Sequence, residues 1–115
     1  MTDAQAHPTT RDGRPIELAD DRDGLQYTAR VGGQLVGFAQ YQLTDQLVVF
    51  TRTETDSSVE GQGVASVLVR FALDDVRAQR TRRVLAVCPF VTAYLQRHPE
   101  DADLNYLAGP GSAHD

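Results

Sequence analysis

The spacing of apolar residues changes period partway along this chain, and the first change falls on a short loop holding two glycines. Before it, Leu25, Tyr27, Ala29 and Val31 alternate with Gln26, Thr28 and Arg30, the two-residue period of a half-buried strand. After it, Val64, Val67, Leu68, Phe71, Ala72 and Val76 recur at three- and four-residue steps, one face of an amphipathic helix. The loop between is Val59-Glu60-Gly61-Gln62-Gly63-Val64-Ala65. A chain written this way is neither all helix nor all sheet. It is α+β, with strands first.

The other elements follow from local signals. Gly32-Gly33 closes a two-residue hairpin between Leu25–Val31 and a partner strand over Gln34–Leu43, because both positions tolerate positive φ. Thr44-Asp45-Gln46 turns the chain into a third strand, Leu47–Thr55, rich in β-branched and aromatic residues. The helix is expected from about Gly63 to Gln79. Val84–Val87 is a short buried strand. A second helix, from about Phe90 to Arg97, ends ahead of Pro99. The order is β-β-β-α-β-α. Strand, helix, strand in its centre implies a parallel pairing through a right-handed crossover, so the sheet is mixed but mostly antiparallel, with flanking helices. Residues 1–15 are expected to be a disordered leader, 16–107 one domain, and 108–115 a flexible tail rich in glycine.

Composition excludes several classes. At 115 residues with 41% hydrophobic content, one domain with its own core is expected. Sixteen acidic residues against 11 basic ones leave a net charge of −5, which argues against nucleic acid as a partner, since phosphate contacts need a basic face. It is compatible with a cationic substrate. All the basic residues are arginines. One cysteine, Cys88, and three histidines provide neither a disulfide framework nor a Cys/His metal cluster, so no metal is expected. No apolar stretch reaches membrane-spanning length, and Met1 to Arg14 does not read as a secretory signal. No membrane partner and a cytoplasmic setting are the expectation.

The glycine loop carries the chemistry. Gly61 and Gly63 let the backbone approach a ligand without a Cβ in the way. The first N–H groups of the following helix are unpaired and sit at the positive end of its dipole, which makes an anion site suited to a pyrophosphate. A tight turn that merely packs the helix on the sheet would use the same glycines. Two nucleotide motifs are excluded: the dinucleotide fingerprint needs a third glycine where Ser66 stands, and a P-loop needs a lysine. What remains resembles the GNAT acyl-CoA N-acetyltransferase superfamily, whose pyrophosphate loop reads Gln/Arg-x-x-Gly-x-Gly/Ala. Here Glu60 stands where Gln or Arg is usual. The strand Val48-Val49-Phe50-Thr51-Arg52-Thr53-Glu54, then Cys88-Pro89-Phe90-Val91, Tyr94 and His98-Pro99-Glu100 are similar to the small single-domain YjdJ-like branch. The likeness spans about residues 16 to 107. Arg52 departs from it, at a position where that branch commonly has histidine.

The resemblance implies a GNAT-like mixed sheet and acetyl-CoA as cosubstrate, seated where the Leu47–Thr55 and Val84–Val87 strands splay apart. The amides of Gly61, Gln62, Gly63, Val64 and Ala65 would hold the pyrophosphate, and a strand amide near Thr53 would polarise the thioester carbonyl. The amine must lose a proton and the thiolate must gain one. Tyr94, four residues before His98, is one candidate donor; its other reading is a packing residue. Cys88, ending the last strand, is a proton donor, an acyl carrier, or an inert buried thiol. Glu54 is a base for the amine or a solvated strand-end charge, and Arg52 shares its face. The Arg77, Arg80, Arg82, Arg83 run is a solvated helix end or a contact to a CoA phosphate. The implied activity is direct acetyl transfer to a primary amine, on a small molecule or a protein. Its rivals are a non-catalytic acyl-CoA-binding module, a Cys88-dependent thioester hydrolase or acyl carrier, and a pure interaction domain.

Overall fold

Two glycines with φ of 60° and 80°, Gly32 and Gly33, close a hairpin in which Val31 pairs with Gln34, and from it an antiparallel meander grows in both directions. The structure, a computed structural model, describes residues 8–107; residues 1–7 of the expected leader and the 108–115 tail lie outside the described residues. Its strands are β1 (Glu17–Asp21), β2 (Gln26–Val31), β3 (Gln34–Leu43), β4 (Leu47–Thr55) and β5 (Arg83–Ala86). They form one sheet in sequence order. All neighbours are antiparallel except β4 and β5, which are parallel. The crossover between them is helix α1 (Val64–Gln79), and α2 (Pro89–Arg97) follows β5. This is the mixed, mostly antiparallel α+β sheet expected.

One strand escaped the sequence reading. β1 is an edge strand with an acidic end, and charge on an edge is a common guard against further pairing. Its acids are used: Asp20 accepts the Tyr41 hydroxyl at 2.7 Å, and Asp21 accepts the Gly24 N–H at 3.1 Å in the turn to β2. Order also begins ahead of residue 16. Thr10 is buried, its N–H donates to the Arg14 carbonyl at 2.8 Å, and Thr9 bridges to Pro15. The turn's local hydrogen bonds, rather than apolar residues, hold it, so apolar spacing does not report it.

The core lies between the sheet and α1. Tyr27, Tyr41 and Phe50 pack with centroids 5.3 to 6.2 Å apart, and Phe71 meets Tyr27 edge-on at 6.0 Å. The buried face of α1 is Val64, Leu68, Val69, Ala72, Leu73 and Val76. Val67 and Phe71 are only partly buried, so the face is turned from the arc that apolar spacing alone suggests. The C-terminal segment meets α1 through charged side chains. Asp101 is 2% exposed and receives Arg70 at 2.8 and 2.9 Å and Arg77 at 2.9 Å. Arg77 also reaches Asp103 at 2.6 Å.

Arg70, outweighing the opposing effect of burial, holds the Asp101 carboxyl below its usual range. A depressed carboxylate stabilises the fold above the unfolded pKa and ceases to do so as pH falls through the folded value. Asp101→Asn is therefore expected to cost about 2 kcal/mol at pH 7, below the figure of about 3–5 for breaking a fully buried pair because the arginines are partly exposed. Denaturant titrations should show the gap to wild type closing below about pH 4; a gap independent of pH would contradict the assignment.

Candidate active site

β4 and β5 separate because the pairing between them stops at Phe50↔Ala86. The Phe50 carbonyl accepts the N–H groups of both Val87 and Cys88 at 2.9 Å, and Pro89 opens α2 immediately afterwards. On its other side β4 is bulged. Tyr41 faces Phe50 and Gln40 faces Arg52, so Thr51 has no counterpart of its own. The Thr51 hydroxyl donates to the Gln40 carbonyl at 3.3 Å. A bulge offsets the alternation by one residue. Phe50 points its carbonyl at β5; past the bulge Thr53, opposite Ala39, directs its main-chain N–H away from β3 and into the cleft where β5 would have continued.

The cleft leads to the glycine loop. A single 3-10 turn, Ser57–Val59, is capped by Asp56, whose carboxylate accepts the Ser58 N–H at 3.0 Å. Gly61 and Gly63 then adopt φ of 80° and 83°, a conformation costly to residues with a side chain. Gly63 is the N-cap of α1, without side-chain capping. Among the described residues no acceptor pairs with the N–H groups of Gly61, Gly63, Val64, Ala65 or Ser66; the first helical bond runs from Val67 to the Gly63 carbonyl at 3.1 Å. A Cβ on Gly61 would meet nothing within 4 Å, and one on Gly63 only Arg11 Nε at 3.8 Å. The corner is open space faced by free donors, and it fits a diphosphate.

Gln62 differs from its neighbours. Its N–H donates to the Val59 carbonyl at 3.0 Å, so it is not a free donor for a ligand. Its carbonyl accepts the Arg11 N–H at 3.2 Å and its Oε1 the Asp12 N–H at 3.0 Å. Gln62 braces the loop against the N-terminal turn.

The candidate side chains fall into three groups. Cys88 is buried, and its thiol donates to the Thr53 hydroxyl at 3.3 Å. Glu54 is exposed and accepts Arg52 Nε at 2.6 Å. Tyr94 is buried on α2, its ring stacked 4.1 Å from that of His98, with the Arg70 guanidinium 5.9 Å from its centroid. Burial raises its pKa, against a lowering by Arg70, so it remains a phenol at neutral pH. Among the described residues Tyr94 shares no hydrogen bond or ring contact with Cys88 or Glu54. His98, Glu100 and Asp101 lie within 4.8 Å of one another, but His98 is hydrogen-bonded to Glu100 at 2.9 Å and Asp101 is ion-paired with Arg70 and Arg77, so these contacts explain the cluster. Arg80, Arg82 and Arg83 line a hollow of about 880 Å³ at the far end of α1, whose 16 residues span about 24 Å. That distance separates them from the glycine corner. No described helix is long and apolar enough to cross a membrane.

A mixed sheet splayed beside a glycine loop and a helix N-terminus is the GNAT-like arrangement that the sequence resemblance implies. A family model described as GCN5-related N-acetyl-transferase matches residues 26–104, and the chain belongs to that family. It is similar to Protein NATD1 of Gallus gallus, at 29% identity over 98 residues that cover 83% of this chain and 87% of that protein. A solved structure, an N-acetyltransferase from Staphylococcus aureus Mu50, superposes on 75% of this chain at 18% identity with a TM-score of 0.49; the chain spans about half of that protein, 52%.

The burial of Cys88 has a direct consequence. Its labelling by an aromatic disulfide reagent is expected to be at least about a hundredfold slower in the native protein than in denaturant, because a shielded thiol reacts through opening of the fold. Native labelling as fast as that of a free thiol would show Cys88 open to reagents.

Proposed function

We propose that this protein transfers an acetyl group from acetyl-CoA directly to a primary amine, with both substrates bound together. The observation that carries the reading is the row of unpaired N–H groups at Gly61, Gly63, Val64 and Ala65, next to glycines with open space above them. Acetyl-CoA supplies the thioester that the amine attacks. The chain's part is to hold, polarise and move protons.

Each group has a task. The free amides and the α1 dipole hold the diphosphate. The Thr53 N–H, aimed into the cleft by the bulge, receives the developing negative charge on the carbonyl oxygen. Cys88 fixes the Thr53 side chain through its hydrogen bond and acts as a positioning residue. Tyr94, kept protonated by burial, donates a proton to the departing thiolate. Glu54 takes the amine's proton, directly or through water, once Arg52 yields its oxygen. The acceptor is an amine on a small molecule or a protein, and the setting is cytoplasmic.

Four outcomes are expected. Acetyl-CoA at a hundred times its Kd should stabilise the protein by about 2.7 kcal/mol, read as a rise in Tm. Release of free CoA thiol should require an added amine; release without one would favour a hydrolase. Tyr94→Phe should lower kcat about a hundredfold while leaving the Kd for acetyl-CoA unchanged, as judged by paired rate and calorimetric measurements; full activity would remove Tyr94 from the mechanism. Ser66→Glu separates binding from stability. Ser66 is exposed in the first turn of α1, where a carboxylate should stabilise the free protein by about 0.3–1 kcal/mol through the dipole yet repel the diphosphate. Tighter or unchanged acetyl-CoA binding by this variant would contradict the site.

A further inference from the structure

We propose that Arg11 is a charged grip on the diphosphate of coenzyme A, delivered to the glycine corner by the N-terminal turn; the inference rests on the reading of that corner as the coenzyme's site. The turn is a built element. The Thr10 N–H donates to the Arg14 carbonyl at 2.8 Å, the Gly13 N–H to the Thr10 carbonyl at 3.0 Å, and the Arg14 N–H to the buried Thr10 hydroxyl at 2.9 Å. It is docked on the loop through two separate bonds, from the Arg11 and Asp12 N–H groups to the carbonyl and side chain of Gln62.

That docking points the Arg11 side chain over the corner. Its Nε lies 3.8 Å from where a Cβ on Gly63 would stand, on the open side of the glycine. Asp12, the nearest carboxylate in sequence, is engaged elsewhere: it accepts the Thr10 hydroxyl and Arg14 Nε. Among the described residues Arg11 forms no ion pair, and it is exposed, so its donors are available.

The charge balance explains why a cation matters here. From Asp56 to Ser66 the chain carries two carboxylates, Asp56 and Glu60, and no arginine. The whole chain is at −5. Without Arg11 the side chains around the corner would repel a diphosphate and leave the amides to overcome that repulsion. A guanidinium presents planar, paired donors that match phosphate oxygens. The contact spans some fifty residues of sequence, so no loop motif contains it.

The test is calorimetric titration of wild type, Arg11→Ala and Arg11→Lys with acetyl-CoA, with 3′-dephospho-acetyl-CoA and with acetyl-pantetheine, which lacks the diphosphate. Arg11→Ala should weaken both diphosphate ligands by the same factor, about tenfold to a hundredfold, and leave acetyl-pantetheine unaffected. Arg11→Lys should recover part of the loss, and the salt dependence of binding should flatten in Arg11→Ala. An unchanged Kd in Arg11→Ala would overturn the role of Arg11 while wild-type binding keeps the coenzyme site standing. A loss confined to the ligand with a 3′-phosphate would overturn the diphosphate contact. Wild type binding none of the three would remove the coenzyme reading itself, and the Arg11 grip with it. Equal melting temperatures for the three proteins exclude a folding defect, since the Arg11 N–H that holds the turn survives each substitution.

Discussion

Two main-chain N–H groups, those of Val87 and Cys88, converge on the carbonyl of Phe50, and that convergence ends the parallel pairing of β4 and β5. With a proline next in line, the chain has to leave the sheet. Beyond Phe50, from Thr51 to Thr55, β4 keeps β3 but has no partner on its β5 side, and the bulge at Thr51 turns the Thr53 N–H into the space that β5 vacates. A strand that has lost its neighbour leaves main-chain groups unsatisfied, a cost a fold bears where a ligand supplies the missing partner. The cleft, the contact of Cys88 with Thr53 and the placement of α2 all follow from that one forked hydrogen bond.

The second constraint is electrostatic. In an acidic chain without lysine, the glycine corner offers positive potential through its backbone, without a charged side chain of the loop itself. This makes the loop's own carbonyl and amide traffic decisive. Gln62 gives up its N–H to Val59 and its carbonyl to Arg11. The Ser66 N–H four residues on finds no acceptor among the described residues, so the first turn of α1 keeps its donors free. The turn at Thr10 to Arg14 thus shapes the loop with its backbone and changes the loop's charge with a side chain. Meanwhile the Arg70–Asp101–Arg77 cluster fixes the other flank of α1, so that the helix whose end forms the site is held from both sides.

Much of this was legible in the sequence because it rests on periodicity and glycine. The Gly32-Gly33 hairpin, the bounds of β3 and β4, the α1 helix and the parallel crossover all follow from short-range spacing. β1 was not legible, since an edge strand with acids at one end has the composition of a loop. The face of α1 was legible only in part: Val69 and Leu73 are buried and Val67 and Phe71 only partly so, and the ion pairs that Arg70 and Arg77 make with Asp101 join residues some thirty positions apart. Within the site, the glycines declare themselves. The engagement of Gln62 and the approach of Arg11 do not, being long-range bonds made by residues whose local sequence reads as leader. The bulge at Thr51 is equally silent in sequence, since it depends on the register of β3.

The most direct measurement is a titration of isotopically labelled protein with acetyl-CoA, following every backbone amide by proton–nitrogen NMR. The expected result is that the amides of Gly61, Gly63, Val64, Ala65 and Ser66 move most, together with Thr53, while the already bonded amide of Gln62 moves less. Shifts centred instead on Arg80, Arg82 and Arg83, with the N-terminal turn of α1 unmoved, would contradict the assignment of the glycine corner as the place where coenzyme A is held.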